Sequence, residues 1–143
     1  RRDLLHQFWH KVRSGQSGSM TMVASLRVGV FTSPGYSAEG VAEYLKALPE
    51  SFILVGAPSD RAIKAWKKKK RQVLFFQMDD DYVKAFGDVA PMKHREAIIA
   101  SAEKVVVFWD CVSQAEAHAI RISMMEGKLQ RINTPWGVLR VKS

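Results

Sequence analysis

From Leu26 onward, short apolar runs alternate with stretches whose apolar residues recur every three to four positions. The first pattern marks strands, and the second marks helices that bury one face. Leu26 to Thr32 is an apolar, β-branched run ending in Ser33-Pro34-Gly35, which predicts a strand and a turn. Ser37 then caps a helix whose buried face carries Val41, Ala42, Leu45 and Leu48, with Pro49 near its end. Phe52 to Val55 predicts a second strand, closed by Gly56-Ala57-Pro58. Ser59 or Asp60 caps the next helix, which runs through Ile63 and Trp66 into a lysine run. Val73 to Gln77 is a third strand, and Tyr82, Val83 and Phe86 suggest a helical turn after Asp79-Asp80-Asp81. Pro91 opens a helix carrying Ile98 and Ile99. Lys104 to Trp109 is a fourth strand, and its Val-Val-Val-Phe-Trp run implies burial on both faces. Ser113 caps a helix through Met125 that Gly127 ends, and Leu129 to Val141 predicts one or two edge strands.

Such alternation implies right-handed crossovers and an α/β fold. The expected architecture is a three-layer, Rossmann-like parallel sheet of about five strands with helices on both faces. Ligands in such sheets sit beyond the carboxyl ends of the strands. That rim contains Thr32-Ser33, Gly56-Ala57, Asp79 and Asp110 to Ser113.

The first twenty residues differ in character. Leu4, Leu5, Phe8, Trp9 and Val12 fall at helical spacing and predict an amphipathic helix, followed by the flexible Ser14 to Ser19. Gly18-Ser19-Met20 also fits a junction before a start at Met20, which would make residues 1–19 a tag or fused peptide outside the fold. As a native element, the helix would offer Leu5, Phe8 and Trp9 to a protein partner. Residues 20–143 then form the one α/β domain.

At 143 residues there is room for one core, and 47% hydrophobic with 25% charged residues is ordinary for a globular chain. The single Cys111 excludes an internal disulfide framework and agrees with a reducing compartment. No apolar run approaches the roughly 20 residues of a membrane span, and no signal-peptide pattern is present, so the cytoplasm is the expected location. The net charge of +8 favours anionic partners. Much of the excess lies in the N-terminal segment and in Lys67-Lys68-Lys69-Lys70-Arg71. That run reads as a solvated helix end at the negative pole of the dipole, or as a nucleic-acid patch.

Three rim loops lead directly into helices, whose first N–H groups attract anions. Small residues at Ser33, Gly35, Gly56, Ala57 and Ser59 would allow close approach. There is no Walker motif, no Gly-x-Gly-x-x-Gly after the first strand and no Gly-x-Ser-x-Gly elbow. The histidines show no metal-ligand spacing, Asp79-Asp80-Asp81 reads as a solvated acidic loop, and neither a metal nor a cofactor is implied. Only Glu116, His94 and Asp110 are placed to act as base or nucleophile, and none has an evident partner, which leaves catalysis open.

Val55-Gly56-Ala57-Pro58-Ser59-Asp60-Arg61 followed by Trp66 is similar to a Gly-Gly-Ala-x-Gly-x-Asp-Arg…Trp motif. Gly87, Pro91, Lys93, His94 and Arg95, and then Phe108-Trp109-Asp110-Cys111 with Ser113, match further motifs of the same group. On these residues, the chain from about Arg27 to Ile132 resembles the SLOG superfamily, the Rossmann-like group that includes DprA (SMF) and the Lonely Guy enzymes. Within that group it looks like the short YspA-like proteins of bacteria and phages. The resemblance implies a nucleotide-type ligand at the rim. Its departures are specific: Val55 replaces a glycine, Lys93-His94 replaces Arg-Asn, and Ala115-Glu116 replaces a phosphate-wrapping Gly-Thr. Alanine blocks close backbone approach, and a glutamate there repels phosphate. The Lonely Guy phosphoribohydrolase motif is absent.

The candidate ligand contacts are therefore Ser33, Gly56, Asp60, Lys93, Arg95, Asp110 and Ser113. Asp60 and Asp110 would accept ribose hydroxyls or amino groups, while Lys93 and Arg95 would neutralise phosphate. Structural roles compete for several of them. Asp60 and Ser113 can serve only as helix caps, and Arg95 can pair with Glu96 or Glu103. The expected function is binding of a nucleotide or nucleotide derivative, as a sensor, a sequestering protein or a degenerate nucleotide-processing enzyme. The alternative is a basic nucleic-acid-binding or protein-interaction module with a vestigial ligand site.

Overall fold

Along a strand, successive side chains point to opposite faces, so a strand that is apolar throughout must be covered twice. A computed structural model, which describes residues 9–12 and 26–141, shows this at its centre. There β2 (Arg27–Thr32) pairs in parallel with β5 (Lys104–Phe108). Val28, Val30, Val106 and Phe108 face one side, and Phe31, Val105 and Val107 face the other. All seven are buried. The first side is covered by α1 (Ala38–Ala47) through Val41 and Leu45, and by α2 (Arg61–Lys68) through Ala62, Ile63 and Trp66. The second is covered by α3 (Asp80–Phe86), α4 (Ala90–Ser101) and α5 (Gln114–Met125), with Tyr82, Ile98, Ile99 and Ala119 inward.

Around that pair lie β3 (Ile53–Gly56), β4 (Val73–Phe76), β6 (Leu129–Thr134) and β7 (Gly137–Arg140). Together with β1 (Trp9–Val12), they make a seven-stranded sheet in the order β1-β4-β3-β2-β5-β6-β7. The five inner strands are parallel, and the two outer ones are antiparallel to their neighbours. The chain steps outward from β2 to β4, then returns to the other side of β2 with β5. This is the three-layer Rossmann-like arrangement, with its topological switch point between β2 and β5. Among the described residues, no helix is long and apolar enough to cross a membrane.

The structure departs from expectation at both ends of the chain. Trp9–Val12, expected in an amphipathic helix, form a strand paired with β4 from Trp9↔Phe76 to Val12↔Val73. Its cause is non-local, because β4 would otherwise present an open row of backbone donors and acceptors. Leu4, Leu5 and Phe8 lie outside the described residues. At the other end, β6 is an inner strand, parallel to β5, and only β7 is an edge.

Gly56 has a packing role at the end of β3. A Cβ there would stand 2.9 Å from Ile63 Cγ1 and 3.1 Å from the Val30 carbonyl oxygen. Its absence lets α2 seat closely on the strand end. Gly56→Ala should lower stability by roughly 1–3 kcal/mol, the usual cost of overpacking. Urea unfolding would measure it, and an unchanged midpoint would mean that Ile63 moves aside freely.

Candidate functional site

At the switch point, two loops meet above β2 and β5. Strand pairing carries on one residue past β2, with Ser33 N–H donating to the Phe108 carbonyl at 2.8 Å. Gly35 then passes so close to the second loop that a Cβ would lie 2.7 Å from Asp110 Oδ2. Asp110 Oδ1 accepts the N–H groups of Val112 and Ser113 at 2.9 Å each. These backbone donors, with a further one from Gly35, hold its carboxyl below the usual carboxylate range. Asp110 thus ties the two loops together.

Beside this crossing, at the carboxyl ends of the strands and between the start of α2 and helices α4 and α5, lies a cavity of about 530 Å³. Phe31, Pro34, Ala57, Ile98 and Ala115 give it apolar walls, and Thr32, Ser59, Asp60, Arg61, His94, Arg95 and Glu116 supply polar groups. The size and the mix suit a small-molecule site.

Asp60 is the N-cap of α2 and also a clamp on β2. Its oxygens accept from Thr32 N–H, Thr32 Oγ1 and Ala62 N–H, all at 2.8 Å. Burial nevertheless pushes its carboxyl up to about 6. The hydrogen bonds to Thr32 and Ala62 oppose that rise, and the charge of Glu116 adds to it. The next residue, Arg61, is spent on structure, since its guanidinium donates to the carbonyls of Ser33, at 2.9 Å, and Tyr36.

Glu116 enters from the first turn of α5 and is only 8% exposed. Its Oε1 accepts the hydroxyls of Ser33, at 3.1 Å, and of Ser113. Ser33 Oγ in turn accepts Asp110 N–H at 3.3 Å, so both loops converge on this one carboxylate. Across the cavity, Arg95 Nε donates to His118 Nδ1 at 2.9 Å. An imidazole nitrogen that accepts must be unprotonated, and burial followed by the charge of Arg95 lowers the His118 pKa accordingly. His94 is mainly a core residue, packed against Phe76 and Tyr82, with Nε2 bonded to the Phe76 carbonyl. Its pKa is lowered by burial.

Of the residues expected at the site, Asp60 and Arg95 line the cavity. Ser33 and Ser113 reach it through Glu116. Gly56 sits beneath α2, and Asp110 is used in the loop crossing. Lys93 is not among the residues that line the cavity and lies 3.6 Å from Glu96. Thr32 and Arg61 line the cavity without being expected contacts, and the sequence marks Glu116 only as a possible base and as a repulsive element. Ser113-x-x-Glu116 has the spacing of a capping box, yet the glutamate turns inward to Ser33. Among the described residues, no group of three or more His, Cys, Asp or Glu is placed to hold a metal ion. No protein-family model matches the chain, and no curated protein or solved structure matches it either.

Proposed function

We propose that the chain binds a nucleotide-derived small ligand in the cavity beside the β2–β5 switch point. It would act as a sensor, a sequestering protein or a degenerate nucleotide-processing enzyme. The observation that carries this reading is the convergence of two carboxylates, Asp60 and Glu116, and an anchored guanidinium, Arg95, on one cavity with apolar walls. Open α/β sheets bind ligands in the crevice at this point of strand reversal. A carboxyl pushed up by burial in a cleft, as that of Asp60 is, also supports a functional site. The resemblance to the SLOG superfamily adds to the case through the same rim.

A thermal-shift screen against nucleosides, nucleotides and cyclic dinucleotides tests it. A ligand at 100 times its dissociation constant adds about 2.7 kcal/mol, which is readily visible in the melting temperature. Amide shifts should then change at Thr32, Ser59, Arg95 and Glu116. No stabilisation by any of these compounds at millimolar concentration would make the rim a vestige.

A second reading rests on the turn between α2 and β4. Lys67, Lys68, Lys69 and Lys70 are all exposed where α2 turns into β4, and among the described residues none is in an ion pair. Such a cluster supports contact with a phosphate backbone. Binding to DNA or RNA through it would fall steeply with salt, and a salt-independent signal would exclude it.

A further inference from the structure

We infer that the cavity takes an uncharged nucleoside in preference to its phosphate ester, because Glu116 fills the position that a phosphate would claim. The inference rests on the ligand class proposed above and narrows it.

The N-terminus of α5 is the natural anion site of this crevice. Its first-turn N–H groups and the positive end of its dipole point toward the loop crossing. Its N-cap residue, Ser113, makes no side-chain capping hydrogen bond, and Asp110 takes only the N–H groups of Val112 and Ser113 that precede the helix. A carboxylate of the chain itself stands there instead. Glu116 is fixed by hydroxyls from two separate loops, Ser33 after β2 and Ser113 after β5. An incoming phosphate would meet this charge within a few ångströms, and displacing it would break both hydroxyl bonds. Repulsion at such a range in a poorly solvated site is large.

Neither cation of the cavity wall reverses the balance, since Arg61 is tied to the carbonyls of Ser33 and Tyr36. Arg95 is held through Nε by His118, and the charge of Glu116 already acts on it. Asp60 adds a second carboxylate on the wall formed by α2. Ionised carboxylates accept hydrogen bonds and donate none. The cavity therefore presents acceptors to the hydroxyls and amino groups of a sugar and base, with Phe31, Pro34 and Ile98 as apolar flanks.

Calorimetric titration of the wild type and of Glu116→Gln with adenosine, guanosine, cytidine, uridine and their 5′-monophosphates decides the matter. The wild type should bind at least one nucleoside about tenfold more tightly than its monophosphate. Glutamine keeps an oxygen for both serines but removes the charge, so the ratio should shrink by about tenfold or invert. Equal or tighter binding of the monophosphate by the wild type would overturn the inference and leave the nucleotide-ligand reading intact. A ratio unchanged in Glu116→Gln would likewise overturn it. If the variant does not fold, the wild-type ratio decides alone. If no nucleoside or monophosphate binds at millimolar concentration, both the reading and the inference fail.

Discussion

Val107→Asp should abolish the cooperative unfolding of the domain. Val107 lies in the middle layer, in register with Phe31 of β2 and Ile132 of β6, and is fully buried. A carboxylate at that position would face Ile98, Ile99 and Ala119 in an apolar cluster. An ionised group without a partner costs several kcal/mol even after relaxation. A domain of this size has only about 5–15 kcal/mol of total stability. Val107→Ala is the control. It removes the same contacts without a charge, should cost roughly 2 kcal/mol and should leave a cooperative melt. Circular dichroism on heating separates the two. A folded Val107→Asp protein with an unchanged midpoint would mean that β5 is not covered on both faces.

That strand was also the most legible part of the chain. Val105 to Phe108 left no polar side to solvate, so a two-sided cover of helices followed from the residues alone. Where the state of a segment depends on a distant partner, the pattern misleads. Trp9–Val12 pair with β4, although the apolar spacing from Leu4 to Val12 is helical. Leu129 to Val141 predicts one or two edge strands, yet β6, with its polar Arg131 and Asn133, lies inside the sheet. Their polarity is met in part, with Arg131 stacked 5.2 Å over Tyr44 and bonded through Nε and Nη2 to Asn133 Oδ1, while Asn133 Nδ2 is buried without a hydrogen-bond partner among the described residues.

The site followed the same division. The rim was readable from the alternation of elements, because topology alone puts the β2 and β5 loops side by side. Which side chains turn into the cavity was less so. Lys93 and Arg95 stand two residues apart on one helix, so they cannot share a face. Spacing excluded that pair of contacts, but it could not say which of the two points inward. Asp110 was diverted by backbone donors that exist only once the loops have met.

The clamp residue Asp60 gives the second large effect, and it appears in the dependence of stability on pH. Its carboxyl titrates at about 6 in the fold against an ordinary 3.8, so the folded chain holds the proton more tightly than the unfolded one. Stability from this group is therefore fully present below about 4 and is lost as the pH rises through 6. At 1.36 kcal/mol per unit, that shift corresponds to about 3 kcal/mol. Asp110 works in the opposite direction, because its carboxyl is held low by backbone donors. The comparison must therefore be made against Asp60→Asn, which keeps every other titrating group. Between pH 7.5 and pH 4, the stability of the wild type should rise by about 3 kcal/mol relative to the variant, as read from urea unfolding at each pH. Parallel profiles would mean that the carboxylate is well solvated and that the cavity wall carries no strained charge. At neutral pH the expected result leaves Asp60 mostly ionised at a cost to the fold. A hydroxyl or amino donor from a ligand would offset part of that cost, which couples the weakest point of the wall to the binding that the cavity is proposed to perform.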